Sequence, residues 1–469
     1  MKTKSSRLVI ALAILIMVPV LLFAQEQEKD RKINLVTRET SLGKILPFAV
    51  GETLIVSPNN KRFAYGLVAF GKQAVVVDGI IGKTYDGIGK DTLIFSPDSS
   101  RVAYMVLEGQ KRFFVIDGIE QKEYDGISDV GAVFSTDGKR VAYAARRGQK
   151  WFIVVDGVEG KGYDGIVKRT PIFGPDGKRV AYGARRGQKW CVVIDGVEGP
   201  EYDQLGALIF SPDSKRVAYV AEQGEKWFVV VDGEQVNDYD GFFAPPIFSP
   251  DSRRVAYTAR RGGKEFVVVD GVEGKMYDNI LISQIFSPNS ERLAYVAIAT
   301  LVEKFFVVVD GIELEEEYVL FTGPIFSHDS KRLAYVTQRG DKWVAVIDGI
   351  VQKEYDKILE GPIFSPDSKR VAYAAKHGEK CFVVVDGVEG KGYDGMLNDS
   401  LTFAPDGRRI AYGTGQGEKH FVVVDGVEGK EYDAFLHGSK LLFDNPNVLH
   451  GLAIRDNEIF QIEVEIIEK

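Results

Sequence analysis

The chain has 469 residues, of which 45% are hydrophobic and 27% are charged, a composition typical of folded proteins and not of disordered ones. Lysine and arginine number 59 against 67 aspartates and glutamates, so the net charge is −8. This acidic balance argues against general nucleic-acid binding, which needs a basic surface. The two cysteines exclude a disulfide-stapled scaffold, and the five histidines leave few residues for a zinc or histidine-based catalytic site.

Residues 1–24 have the pattern of an export signal. Two lysines and an arginine precede an apolar run at residues 8–23, and Ala24 offers a small residue for cleavage. The alternative is an uncleaved membrane anchor, although the run is shorter than the ~20 residues that a spanning helix needs. We therefore predict an exported protein, either periplasmic or secreted.

The 20 tyrosines reveal a repeat, because they occupy two positions of one recurring unit. The first position is held by Tyr65, Tyr104, Tyr143, Tyr182, Tyr219, Tyr257, Tyr295, Tyr335, Tyr373 and Tyr412. The second position is held by Tyr85, Tyr124, Tyr163, Tyr202, Tyr239, Tyr277, Tyr318, Tyr355, Tyr393 and Tyr432. Internal repetition at a period of about 39 residues predicts ten copies of one structural unit.

Residues 207–241 show how one unit is built. The four predicted strands are residues 207–210, 216–221, 227–231 and a weaker segment that carries Tyr239. Ser211-Pro212-Asp213-Ser214 predicts a turn, and Asp232-Gly233 predicts a hairpin because both residue types tolerate positive φ. The third strand is apolar on both faces, so both faces must be covered. A ring of four-stranded sheets packed face to face satisfies this requirement, and the pattern predicts an all-β propeller.

The phrase Phe-Ser-Pro-Asp-Ser-Lys-Arg-Val-Ala-Tyr at 210–219 and 364–373, with variants in most other units, resembles the WD-repeat-like units of TolB-like propellers. The resemblance implies a propeller fold and leaves the function open, because propellers serve many tasks. TolB proteins also carry a separate α/β domain ahead of the propeller, for which the sequence before the first repeat is too short.

The two chain ends are predicted to complete each other. We assign residues 25–50 to an N-terminal segment that completes a closing blade, 51–440 to ten four-stranded repeats, and 441–469 to the C-terminal strands of the closing blade. Closure would also protect edge strands from pairing with other chains. We favour one large ring of ten repeats plus the closing blade. The alternative is two tandem propellers of five and six blades.

Motifs of catalysis are missing from the sequence, which has no Gly-x-Ser-x-Gly, His-Glu-x-x-His, phosphate loop or Cys-x-x-Cys. We therefore predict no catalytic residue, no cofactor and no metal site. The ten Asp-Gly pairs could supply carboxylates to calcium, but a hairpin turn already explains them. Cys191 and Cys381 are predicted to be free buried thiols, because their units lie nearly opposite each other in a single ring.

The loop between the second and third strands carries the clearest candidate for partner binding. The candidate residues are Arg146, Arg147, Arg185, Arg186, Arg260 and Arg261. In a propeller this loop shares a face with the blade-to-blade connectors, which carry nine Tyr-Asp pairs, so the two sets would form a charged surface. The alternative is a solvated turn whose arginines pair with neighbouring carboxylates at little energetic gain.

These observations predict an exported, non-enzymatic binding or scaffold protein, monomeric, that presents a propeller face to a protein or glycan partner. They predict no nucleic-acid partner, and membrane contact only through an uncleaved N-terminal segment. The alternative function is a propeller-type glycan hydrolase or lyase that uses carboxylates of the funnel as acid and base.

Overall fold

The computed structural model describes residues 33–300, 304–316 and 319–469, so the predicted export signal lies outside the described residues. The described residues form β-strands in eleven antiparallel sheets, without an α-helix. Accordingly, none of them belongs to a helix that could cross a membrane. In ten sheets the strands follow chain order from first to fourth, and we number these sheets blades 1–10. The sheet that joins the two chain ends is blade 11.

Every blade contributes one strand, whole or interrupted, to each of four sets, and each set runs in order from blade 1 to blade 11. The first strands are Ala49–Val56; Gly87–Ile88 with Ile94–Phe95; Gly126–Ile127 with Val133–Phe134; Gly165–Ile166 with Ile172–Phe173; Gln204–Phe210; Gly241–Phe248; Asn279–Phe286; Val319–Phe326; Lys357–Phe364; Gly395–Met396 with Thr402–Phe403; and Ala434–Phe435 with Leu442–Asn445. The second strands are Phe63–Ala69, Val102–Glu108, Val141–Arg147, Val180–Arg186, Val217–Gln223, Val255–Arg261, Leu293–Ala299, Leu333–Arg339, Val371–His377, Ile410–Gln416 and Val448–Arg455. The third strands are Lys72–Val77, Lys111–Ile116, Lys150–Val155, Lys189–Ile194, Lys226–Val231, Lys264–Val269, Lys304–Val309, Lys342–Ile347, Lys380–Val385, Lys419–Val424 and Glu458–Glu468. The fourth strands are Ile80–Ile81, Ile119–Glu120, Val158–Tyr163, Val197–Tyr202, Glu234–Tyr239, Val272–Glu273, Ile312–Glu316, Ile350–Tyr355, Val388–Glu389, Val427–Tyr432 and Ile33–Lys44.

The turn chemistry of the repeat explains why the strands end where they do. In blade 1 the third strand stops at Asp78 and Gly79, whose φ angles are 50° and 80°. Two successive positive φ values make the type of two-residue turn that matches the twist of a β-hairpin. The same pair with the same geometry ends the third strand in each of blades 1–10. The hairpin prediction is therefore confirmed.

The blades form one closed ring. A buried hydrophobic cluster lies between each blade and the next, from blades 1 and 2 through to blades 10 and 11. One further cluster joins Leu452 and Ile459 of blade 11 to Phe63 and Tyr65 of blade 1. Because each blade packs against the next and blade 11 packs against blade 1, the prediction of a single all-β ring is confirmed. The alternative of two tandem propellers is wrong.

Blade 11 is the composite closing blade. Strand Ile33–Lys44 pairs along its whole length with strand Glu458–Glu468, from Ile33 opposite Glu468 to Lys44 opposite Glu458. The next strand of the chain, Ala49–Val56, is the first strand of blade 1. The N-terminal segment thus contributes one strand, the outermost. The C-terminal segment contributes the second and third strands and most of the first, whose residues 434–435 precede that segment.

The antiparallel order of the strands defines three surfaces. First strands of neighbouring blades approach one another and form the inner wall, which we call the channel wall. Loops between second and third strands share one end of the ring with the blade-to-blade connectors, and we call this end the connector face. The Ser-Pro-Asp turns and the Asp-Gly hairpins share the opposite end, which we call the turn face.

Candidate binding surfaces

The Asp-Gly carboxylates of the turn face are occupied by hydrogen bonds within and between blades. In blade 1, Asp78 Oδ1 accepts the Phe63 amide hydrogen at 3.1 Å and Oδ2 accepts from Arg62 Nε at 2.8 Å. Arg62 Nη1 donates to the Ser100 carbonyl of blade 2 at 2.8 Å, and its guanidinium lies 5.3 Å from the Phe95 ring centroid. Each Asp-Gly aspartate thus holds an arginine that contacts the next blade, and both oxygens of its carboxylate have protein hydrogen-bond donors.

This arrangement is repeated around the ring. The arginine–aspartate pairs are Arg62–Asp78, Arg101–Asp117, Arg140–Asp156, Arg179–Asp195, Arg216–Asp232, Arg254–Asp270, Arg292–Asp310, Arg332–Asp348, Arg370–Asp386 and Arg409–Asp425.

The Tyr-Asp aspartates of the connector face also join neighbouring blades. Asp125 Oδ1 accepts from Lys111 Nζ at 2.6 Å in its own blade, and Oδ2 accepts from the Gly148 amide of the next blade at 2.8 Å. The Gly148 amide and the Lys111 ammonium hold the pKa of Asp125 below its usual value. The same bond to the next blade is made by Asp86, Asp125, Asp164, Asp203, Asp240, Asp278, Asp356, Asp394 and Asp433. These carboxylates therefore act as blade-to-blade links.

The sequence placed the six candidate arginines in loops, but the structure places them in strands. Strands Val141–Arg147, Val180–Arg186 and Val255–Arg261 extend through both arginines of each pair. Because alternate strand residues point to opposite faces of a sheet, the two members of a pair face different neighbouring blades. The six arginines are thus two sets of three with different surroundings.

The second arginine of each pair is bound to a glutamate of the fourth strand. Arg147 donates to both carboxylate oxygens of Glu159 at 2.9 Å, and Lys122 and Tyr124 of the preceding blade contact the same carboxylate at 2.8 and 2.9 Å. Lys122, together with Arg147 and Tyr124, lowers the pKa of Glu159 to about 2. The equivalent pairs are Arg186–Glu198 at 2.5 Å and Arg261–Glu273 at 2.7 Å. These three arginines are components of the blade interface.

The first arginine of each pair makes weaker contacts. Arg146 donates to the Gly148 carbonyl at 2.9 Å, and Arg185 donates to the Asp164 carbonyl at 3.3 Å with its guanidinium 5.6 Å from the Trp190 ring centroid. Arg260 is exposed. Of the predicted site, Arg146, Arg185 and Arg260 are the members that form no ion pair with a carboxylate of the described residues; Arg146 and Arg185 act on Asp125 and Asp164 only through their charge.

The channel wall differs between two arcs of the ring. In blades 2, 3, 4, 10 and 11 a turn interrupts the first strand, with a positive-φ residue at Asp91, Gly131, Arg169, Asp399 and Gly438. In blades 5–9 the first strand is continuous. We call blades 10, 11 and 1–4 the polar arc, because seven exposed charged residues of the first-strand segments lie there, namely Glu52, Lys90, Asp91, Asp129, Lys168, Arg169 and Asp399. The described part of the first strands in blades 5–9 exposes one charged residue, Lys357. We call blades 5–9 the apolar arc.

The apolar arc carries bulges that place hydrophobic residues out of the ladder. The register of the first strand shifts in blades 6, 7, 8 and 9 at Phe243, Leu281, Phe321 and Leu359. Bulges re-aim side chains, and Leu281 and Leu359 are 46% and 36% exposed. Sequence reasoning missed both arcs. The sequence does carry a signal for them. The number of residues from the second-position tyrosine of one unit to the phenylalanine that precedes the next Ser-Pro turn is larger at blades 2, 3, 4 and 10 than at blades 5–9.

Glu360 is an unusual carboxyl group of the channel wall. It lies in the first strand of blade 9, where Oε1 accepts the Leu401 amide hydrogen at 3.0 Å and Oε2 is buried without a partner among the described residues. Burial raises the pKa of Glu360 to about 7.

Cys191 and Cys381 are buried in third strands five blades apart, and burial raises the pKa of both thiols.

A comparison with protein-family models and with curated proteins gives no match. The chain is similar in fold to solved β-propellers. A putative TolB from Agrobacterium tumefaciens is 19% identical, with a TM-score of 0.24 over 50% of this chain and 94% of that one. The β-propeller domain of the Trilobed protease from Pyrococcus furiosus is 15% identical, with a TM-score of 0.29 over 54% of this chain and 92% of that one. TolB from Acinetobacter baumannii is 14% identical, with a TM-score of 0.21 over 71% of this chain and 78% of that one. These values are too low to carry a function from one chain to the other.

Proposed function

We propose that this chain is an exported, non-enzymatic binding protein that holds a polypeptide segment of a partner protein against its channel wall. The observation that carries the proposal is the division of that wall into a polar and an apolar arc. The repeated charges of the two end faces are largely engaged in links between blades. The first strands differ from blade to blade, so they can select a partner.

The chemistry of the two arcs favours a polypeptide over a glycan. Leu281 and Leu359 expose apolar surface in the apolar arc, which apolar side chains of a polypeptide could cover and so remove from water. The polar arc offers both signs of charge within a few residues, for example Lys90 with Asp91. A partner segment with one apolar side and one mixed-charge side would match both arcs. Export is supported by the signal pattern of residues 1–24.

Site-specific photocrosslinking in the cells that produce the protein tests this proposal. A photoreactive residue at Leu281 or Lys168 probes the channel wall, and one at Val272, 71% exposed on the outer rim, is the matched control. We expect adducts of one defined mass from the channel positions and none from Val272, and digestion of the adducts should release peptides of a second protein. Equal adducts at Val272, or none at the channel positions, would contradict the proposal. Adducts that stain for carbohydrate and release no peptide of a second protein would favour the glycan alternative.

Glu360 favours one second candidate, a glycan hydrolase or lyase. A general acid must be protonated near neutral pH, and the burial of Glu360 supplies this condition. The negative charge of Asp399 acts in the same direction and provides a second carboxylate on the neighbouring blade. Activity on oligosaccharides that disappears in Glu360→Gln and persists in Glu354→Gln, an outer-strand control, would establish this function in place of the first.

A further inference from the structure

A cavity of about 450 Å³ opens between blades 5 and 6. Val220 and Trp227 of blade 5 and Phe242, Ala244 and Pro245 of blade 6 line it, together with the glycine-alanine pair at 206–207. The first strand of blade 5 has 7 residues where that of blade 6 has 8, and its centre carries the two smallest side chains. The volume lies in the range of small-molecule sites, and the lining is predominantly apolar and aromatic, as such sites require.

A glutamate neighbours two of the cavity-lining residues within the sheet of blade 5. Glu222 is the cross-strand partner of Trp227, and it lies two residues from Val220 on the same face of the second strand. Glu222 Oε2 is buried and has no hydrogen-bond partner among the described residues. Leaving a buried charged acceptor unsatisfied is costly. A bound cation would supply the missing partner.

Blade 4 shows what the same positions do when the protein provides its own cation. There Arg185 is the cross-strand partner of Trp190, and its guanidinium lies 5.6 Å from the ring centroid. In blade 5 the tryptophan is retained at the equivalent position, but a carboxylate replaces the arginine. The chain therefore places its own cation beside the tryptophan in blade 4, whereas among the described residues no lysine or arginine lies over the Trp227 ring in blade 5.

We propose that the cavity between blades 5 and 6 binds a small organic ammonium ion with an apolar body. The ammonium group pairs with Glu222 and approaches the Trp227 ring, because aromatic faces attract cations and a carboxylate neutralises their charge. The apolar body packs against Phe242 and Pro245. The cavity is lined largely by first-strand residues of the apolar arc, but the proposal does not rest on the channel-wall function, because no partner protein is needed to form the cavity.

Calorimetric titration of the intact protein with benzylammonium tests the proposal, and benzyl alcohol is the neutral ligand of nearly the same shape. We expect benzylammonium to bind with a dissociation constant of about 1 mM or lower, at least about tenfold more tightly than benzyl alcohol. Equal affinity for the two ligands, or no heat from benzylammonium at about 10 mM, would overturn the proposal.

Substitutions at Glu222 separate binding from folding. Glu222→Gln should weaken benzylammonium at least about tenfold, whereas Glu225→Gln, an exposed loop carboxylate, should leave it unchanged. Glu222→Arg recreates the arrangement of blade 4, so it should fold with an unchanged or higher melting temperature and lose the ligand. Retention of benzylammonium by a folded Glu222→Arg or Glu222→Gln protein would show that this carboxylate does not hold the ammonium group.

Discussion

The Tyr432 hydroxyl in blade 10 donates a hydrogen bond of 2.6 Å to Glu39 in blade 11, although 393 residues separate the two in the chain. Arg455 donates to both carboxylate oxygens of Glu39 at 2.8 and 3.0 Å, and Lys430 contacts it at 2.9 Å. This is the arrangement that Tyr, Lys and Arg make around Glu159 inside the ring. The N-terminal strand therefore reproduces the contacts of an ordinary fourth strand.

Replacement of Glu39 by glutamine should destabilise the ring at its closure. The substitution leaves Arg455 and Lys430 without their shared carboxylate, and the loss of a charged hydrogen-bond acceptor costs about 1–3 kcal/mol of unfolding free energy. Chemical denaturation at neutral pH measures the loss. Glu463→Gln is the control, since its partner Arg38 is largely exposed and the pair should contribute little. Equal losses in the two variants would remove the special role of Glu39.

The glutamates of the blade interface should make the protein sensitive to acid. Burial opposes ionisation of Glu39, but hydrogen bonds from Arg455, Tyr432 and Lys430 lower its pKa to about 2 from a value of 4.5. A lowered pKa stabilises the fold fully above about pH 4.5, and this stabilisation is lost as the pH falls toward 2. Melting temperatures recorded from pH 6 down to 2.5 should fall steadily, and less steeply in Glu39→Gln. Parallel profiles would contradict this assignment.

The two sets of site arginines should contribute differently to the thermal stability of the protein. Replacing Arg147, Arg186 and Arg261 by serine removes three ion pairs between strands, and we expect the melting temperature to fall by about 2–5 °C. Replacing Arg146, Arg185 and Arg260 should change it by less than about 1 °C. Thermal unfolding followed by circular dichroism compares the two triple variants. A larger fall in the second triple would show that the first arginines hold the blades together.

If the connector face contributes to recognition, the loss of Arg146, Arg185 and Arg260 should weaken partner binding more than the loss of Arg147, Arg186 and Arg261. The first set of arginines sets the local charge on an acidic protein, so their loss should weaken an acidic partner more at low salt than at high salt. The second set is neutralised by glutamates and should matter less once the folded fractions are matched.

The repeat made the fold predictable, because the tyrosine positions and Asp-Gly hairpins specify four strands and their turns in each unit. The closing blade was predictable too, since the chain ends carry complementary parts of one unit. The arginine site was predicted less well. Strand ends are poorly defined by sequence, and alternation sends Arg146 and Arg147 toward different blades. The glutamate that binds Arg147 is 12 residues away in another strand, which the loop sequence does not reveal.

The thiols should be unreactive in the folded protein. Cys191 and Cys381 are buried, and burial raises the pKa of each, so little thiolate is present near neutral pH. A thiol reagent should label two groups per chain after denaturation and almost none before. Rapid labelling of the native protein would mean that blade 4 or blade 9 opens locally.

Removal of residues 441–469 should impair folding out of proportion to its length. The deletion takes away the second and third strands of blade 11 and most of the first, and it uncovers the apolar faces of blades 10 and 1. Burial of apolar surface stabilises a protein by ~25 cal/mol per Å². We therefore expect aggregation, detected by size-exclusion chromatography with light scattering. Deletion of residues 33–44 is the graded comparison, because it removes the outermost strand alone and should destabilise the ring less. A truncated protein that stays monomeric with an unchanged melting temperature would show that closure through blade 11 does not hold the ring together.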